Sequence, residues 1–328
     1  MKTTARTWLA PLGCAIALAC AAPAQAVTYK VLGWNDLGMH CMDSSYAEFS
    51  ILPPYNTIEA QLIVGGRLVK SGSGYTLTYE AVADPSGSIN STSVNKGNWF
   101  MNAPALYGKA IGSADEGLNS WNMPGPLNLP QAMLFEAFNL PAPNVSTPVN
   151  WFRAEGIPIT PWDDAGNKNY YPLMRIVARN ASNAVIAQSD VVLPVSDEMD
   201  CRSCHGANTQ PAARPTSGWF VDAGNRDREF RLNVLKLHDD RERALHPALY
   251  TEALAAKGMA FGLYDSALSG KPVLCAAGHA SEALGAPSFS STQGNGTVPP
   301  LTMSVHGKHA SVVDPKSGLV LDSTANRS

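Results

Sequence analysis

The sequence predicts a mixed α+β fold, with a β-rich, sandwich-like domain at 27–196 and a loop-rich, partly helical domain at 197–328. Three observations predict it. Apolar and polar residues alternate strictly in several segments of the first part, the signature of half-buried strands. That alternation stops near Pro194-Val195-Ser196-Asp197. Beyond it, Arg226 to Leu254 carries Phe230, Val234, Leu237 and Leu245 at helical spacings. The chain has 328 residues, which at roughly 150 residues per domain allows about two domains. Hydrophobic residues make up 45% and charged residues 16%, which excludes a charge-rich disordered chain. The 27 glycines and 24 prolines imply many turns and irregular connections. A net charge of −3 supplies no basic face, so a nucleic-acid partner is excluded.

The first 26 residues have the pattern of a secretory leader, with Lys2 and Arg6 ahead of an apolar stretch from Trp8 to Ala22 and a small-x-small site at Ala24-Gln25-Ala26. The apolar run is shorter than the roughly 20 residues of a comfortable membrane span. Export to the periplasm or the cell surface follows, with no transmembrane segment in the mature chain. An uncleaved anchor and a lipid-modified Cys20 are the alternatives. Cleavage removes Cys14 and Cys20 and leaves Cys41, Cys201, Cys204 and Cys275.

The strands are expected in order. Val27, Tyr29 and Val31 alternate with Thr28 and Lys30; Ile58, Ala60, Leu62 and Val64 with Glu59 and Gln61; Tyr75, Leu77, Tyr79 and Ala81 with Thr76, Thr78 and Glu80. Met174, Ile176 and Ala178 oppose Arg175 and Arg179, and the turn Asn180-Ala181-Ser182-Asn183 leads into an apolar run from Val185 to Val195 that closes a hairpin. Between lie long Pro-, Gly- and Asn-bearing connections, with a short helix expected at Gln131 to Asn139 on the apolar contacts of Met133, Leu134 and Phe138. The whole reads as an antiparallel sandwich with large loops, an immunoglobulin-like form among them. After the boundary, the helical pattern of Arg226 to Leu254 continues in style to Gly258, and 285–300 reads as loop.

Chemistry concentrates in Cys201-Arg202-Ser203-Cys204-His205. This C-x-x-C-H string is the attachment signature of c-type haem. Two thiols three positions apart add across the two vinyl groups of one porphyrin, and the next residue, His205, is held under the iron. Composition alone yields such a string about 0.002 times in a chain of this length. Export strengthens the reading, because such haem is attached outside the cytoplasm. The competing readings are a disulfide between Cys201 and Cys204, a zinc cage of Cys201, Cys204, Cys275 and His279, and thioredoxin-like redox chemistry, which lacks its strand–helix context here.

Cys275-Ala276-Ala277-Gly278-His279 repeats the pattern with Gly278 in place of the second cysteine. It would hold a second haem by one thioether with His279 on the iron, or it has lost its haem. An exposed loop cysteine, or a disulfide from Cys275 to Cys41, is the plain alternative. Candidates for the opposite axial face are His40, His238, His246, His306 and His309, with Met199, Met259 and Met303 behind them. His306 and His309 follow the second motif after a loop, and His306 is favoured of the two. His238 sits on the expected helix near Val234 and Leu245.

Gly33 to Asp43 is expected as a loop rich in functional residue types, including Trp34, His40, Cys41 and Met42. It reads as a packed structural loop, as the donor of His40 to a haem in the second domain, or as a copper site from His40, Cys41 and Met42. Asp163-Asp164-Ala165-Gly166-Asn167 lacks the spacing of a twelve-residue calcium loop and reads as a plain turn.

Over 197–310, the Cys201–His205 motif, the degenerate Cys275–His279 motif and the His306–His309 segment together resemble an exported bacterial multihaem c-type cytochrome, in a truncated or degenerate form. The resemblance implies haem c as cofactor, at Cys201, Cys204 and His205 and again at Cys275 and His279. It implies electron transfer to other redox proteins or an extracellular acceptor. Two further function classes stand beside it: a haem enzyme with an open distal face, and a non-redox sandwich module with a degenerate haem tail.

Overall fold

The computed structural model describes residues 27–36, 38–119, 121–138, 149–197, 201–281 and 284–323. The leader, Met199 and the end of the segment at Gln131 to Asn139 lie outside them. In chain order the strands are β1 (Tyr29–Asn35), β2 (His40–Cys41), β3 (Phe49–Ser50), β4 (Asn56–Val64), β5 (Arg67–Leu68), β6 (Tyr75–Val82), β7 (Gln131–Ala132), β8 (Leu134–Phe138), β9 (Val149–Ile157), β10 (Leu173–Asn180), β11 (Val185–Val192), β12 (Val195–Ser196) and β13 (Val273–Leu274). The helices are α1 (Trp99–Tyr107), α2 (Arg202–His205), α3 (Arg226–Leu245), α4 (Pro247–Ala256), α5 (Leu263–Leu268) and α6 (Leu301–His309).

Two antiparallel sheets fill the β-rich part. One runs β1-β4-β9-β8 with β5 on β4, the other β11-β10-β6-β7. The alternation seen in the sequence becomes facing: Leu77, Tyr79 and Ala81 of β6 and Met174, Ile176 and Ala178 of β10 are buried with Ile58, Ala60 and Leu62 of β4 in one core. Each large apolar side chain so buried contributes about 1.5–3 kcal/mol. Gly33 marks where β1 crosses β10, since a Cβ there would lie 2.3 Å from Ile176 Cδ1. Only a residue without a side chain permits that approach.

The helical part builds a second core from Leu232, Leu235, Tyr250, Leu254, Met259, Ala267 and Val273. Phe49, from β3, completes it. Two short parallel pairings complete the frame: Val195 and Ser196 pair with His40 and Cys41 within the β-rich part, and Val273 and Leu274 pair with Phe49 and Ser50, which ties the helical part to it. Asn225 caps α3 by accepting from the Arg228 amide. The single helical stretch expected from Arg226 to Leu254 is broken at His246-Pro247. The residue before a proline is pushed out of the helical region, and His246 has φ −136° and ψ 52°.

Gln131 to Phe138 is strand, not helix. Met133 is buried and Leu134 is 61% exposed, a period of two that short apolar runs do not distinguish from a helical one. Gly33 to Asn35 belong to β1 rather than to a loop, and His40 and Cys41 form β2. Trp34 is half-buried, edge-on to Trp151. Asp163 accepts from the amides of Ala165 and Asn167 and from Ser88, the bonding of a plain turn.

Candidate functional site

The two cysteine motifs fold alike. In the first, the amides of Cys204 and His205 both donate to the Cys201 carbonyl, at 3.2 and 2.8 Å. In the second, the amides of Gly278 and His279 both donate to the Cys275 carbonyl, at 3.1 and 3.0 Å. Each is one tight turn that projects a histidine from its end. None of the four described cysteines is in a disulfide, so the Cys201–Cys204 and Cys275–Cys41 bridges are absent among the described residues.

His205 meets His309. Their ring centroids are 6.4 Å apart with planes at 65°. Burial first, and then the neighbouring His309 and Arg241, pulls His205 down to about 4, so its imidazole is neutral at pH 7. Its Nδ1 is buried without a hydrogen-bond partner. The Nδ1 of His309 lies 2.6 Å from the Val305 carbonyl one turn back. A carbonyl only accepts, so Nδ1 carries a proton and donates it.

His238 meets His279 in the same way, at 6.3 Å and 87°. The Tyr250 hydroxyl donates its one proton to Asp239. Its oxygen therefore accepts from His238 Nδ1, at 3.3 Å. Asp239 is itself fixed by the amides of Leu263 and Tyr264. Nδ1 of His279 donates to the Pro299 carbonyl at 2.8 Å, with Ser304 Oγ at 3.1 Å. Both rings thus carry a proton on Nδ1 and are held through it. Such outer partners orient a ligating histidine and raise its basicity. Burial lowers the pKa of His238 further.

Helix α6 joins the two pairs. Ser304 in its first half touches His279, and His309 at its end meets His205. Five residues of helix advance about 7.5 Å, so the pairs are close neighbours. A cavity of about 410 Å³ opens beside α6, lined by His306, His309, Ala310 and Leu321, within the range of cofactor pockets.

The remaining candidates go elsewhere. His306 is exposed, and it is His309, not the favoured His306, whose ring meets His205. His246 is exposed near Glu242. Met259 is packed in the second core and Met303 is 67% exposed. His40 is buried with Nε2 donating to the Pro53 carbonyl at 2.7 Å, so that nitrogen is already committed. Met42 is in the sandwich core, which separates it from any copper set with His40. Sequence reasoning missed Tyr250, Asp239 and Ser304. No local signal marks them, because their roles arise from contacts between helices.

The donor set fits haem. Each pair brings two imidazoles together, at 6.4 and 6.3 Å between ring centroids, and would offer a haem iron its two histidine ligands. Among the described residues no three His, Cys, Asp or Glu side chains gather as a metal-holding group. No described helix is long and apolar enough to cross a membrane. No protein-family model and no curated protein matches the chain.

Proposed function

We propose that the chain is an exported c-type cytochrome that carries electrons, with one haem attached through Cys201 and Cys204 and held between His205 and His309. The observation that carries this reading is a C-x-x-C-H turn whose histidine meets a second histidine from a distant helix, with 6.4 Å between ring centroids. Bound haem supplies a reversible one-electron couple. The protein's part is to fill both axial positions. His205 is neutral because burial holds its pKa at about 4. His309 is aimed by its bond to Val305. His205 and His309 would hold the haem from both sides, which would leave no position for substrate and favours electron transfer over catalysis. Imidazole on both sides sets a lower potential than methionine would.

The leader directs the chain to the periplasm or cell surface. Its partners are other redox proteins or an extracellular electron acceptor, met through small transient contacts. The test is to produce the full chain in a host with c-type maturation machinery and record intact mass, pyridine haemochrome and CO difference spectra. Covalent haem with sharp α and β bands untouched by CO is the expected result. A colourless chain with Cys201 and Cys204 both open to alkylation would overturn the reading. CO binding would point instead to an open catalytic face.

A further inference from the structure

We infer that the Cys275–His279 motif, despite lacking its second cysteine, holds a second haem through a single thioether, with His279 and His238 as the axial pair. The inference rests on the reading above, but its observations are separate. The degenerate motif makes the same two amide-to-carbonyl bonds as the complete one. Its histidine meets His238 of α3, with 6.3 Å between ring centroids, away from α2 and its His205. Both imidazoles have Nδ1 engaged as a donor, His279 by Pro299 and His238 by a Tyr250 whose own proton goes to Asp239. Both rings are therefore held through Nδ1 by partners from the surrounding fold, which leaves Nε2 of each out of those bonds.

Gly278 is not there for a backbone reason. Its φ is −107° and ψ −36°, ordinary for any residue. A Cβ at that position would meet nothing nearer than the Cys275 carbonyl oxygen at 4.0 Å. The turn accepts a cysteine there, so what this chain lacks relative to the complete motif is one thiol and no part of the geometry.

Attachment is an addition. The Cys275 S–H bond and the π bond of one vinyl group break, a bond forms between sulfur and the vinyl carbon next to the ring, and the thiol hydrogen ends on the outer carbon as a methyl. No oxidant or reductant is consumed, and the other vinyl group stays intact. With α6 touching His279 at Ser304 and carrying His309 to His205, the two haems would lie side by side and exchange electrons.

The experiment uses the full chain matured in the same host. Haem per chain is measured by pyridine haemochrome against amino-acid analysis, and proteolytic peptides are mapped by mass. Two haems per chain are expected, with one on the Cys275 peptide and an α band displaced toward that of a haem retaining a vinyl group. G278C should keep two haems and move the band to the two-thioether position. C275A should lose the covalent haem from that peptide alone. A wild-type chain with one haem on Cys201 and Cys204 and an unmodified Cys275 peptide overturns this inference and leaves the proposed function standing. A chain with no haem overturns both. Peptide mapping of the wild type decides the matter even where a variant fails to fold.

Discussion

His309 faces His205 across 6.4 Å from the last turn of α6, the helix whose Ser304 bonds His279. One nine-residue helix thereby carries one of the paired histidines and touches another through the Ser304 hydroxyl, just after the Pro299 carbonyl that bonds the same ring. The two histidine pairs are mechanically linked, and changes in α6 should be read at both.

Replacing His309 should open one haem face. H309A is expected to bind CO in the reduced state and to lose low-spin character, measured by difference spectra. H306A should leave both unchanged, because His306 is exposed and meets no other histidine ring. CO binding by H306A with none by H309A would reverse the assignment.

Tyr250 is a positioning residue. Y250F removes the acceptor for His238 Nδ1 and one donor to buried Asp239. Leaving buried polar groups unsatisfied costs about 1–3 kcal/mol, to be read in chemical denaturation. A redox titration should also show the second haem's potential move while the first stays put. A potential unchanged at both would reduce Tyr250 to a packing role.

Asp43 should make stability fall as pH rises. Burial lifts its carboxyl from 3.8 to about 7, against the pull of the Ile51 and Leu52 amides, Arg231 and Ser50. Between those values the folded chain keeps the proton and the unfolded chain has lost it. The contribution is complete below 3.8 and has gone once pH passes about 7, at a slope of at most about 1.4 kcal/mol per pH unit. D43N should flatten that part of the curve in urea melts taken at successive pH values. Parallel curves for D43N and wild type would contradict the burial argument.

Gly33 should couple to Ile176. G33A puts a Cβ against Ile176 Cδ1 in a fully buried site. Overpacking of this kind costs about 1–3 kcal/mol. I176V removes the clashing methyl, so the G33A penalty should be smaller in the double variant. Equal penalties in the two backgrounds would show that β1 and β10 do not approach as described.

Local features were legible. A period of two placed β1, β4, β6 and β10, because each buries one face of a pleated strand whichever strand it pairs with, and the turn before the apolar run at Val185 placed β11. The segment at Gln131 to Asn139 is ambiguous in sequence because nine residues with three apolar contacts satisfy either period. The break at His246-Pro247 is legible in the proline itself. The tie between halves of the chain, with Phe49 inside the second core, had no local signal, since parallel pairing across such separations depends on the assembled shape.

By itself the sequence determined the thiol chemistry: Cys201, Cys204 and His205 are neighbours in the chain, and one turn of backbone is enough to arrange them. Only the tertiary structure decided which histidine stands opposite. His205 with His309, and His279 with His238, are partners separated by long stretches of chain. Their encounter depends on how α3, α4 and α6 pack, and on the tautomers that Tyr250, Pro299 and Val305 impose. A side chain's type sets what it can bind; its neighbours in space set which of its nitrogens is left to do so.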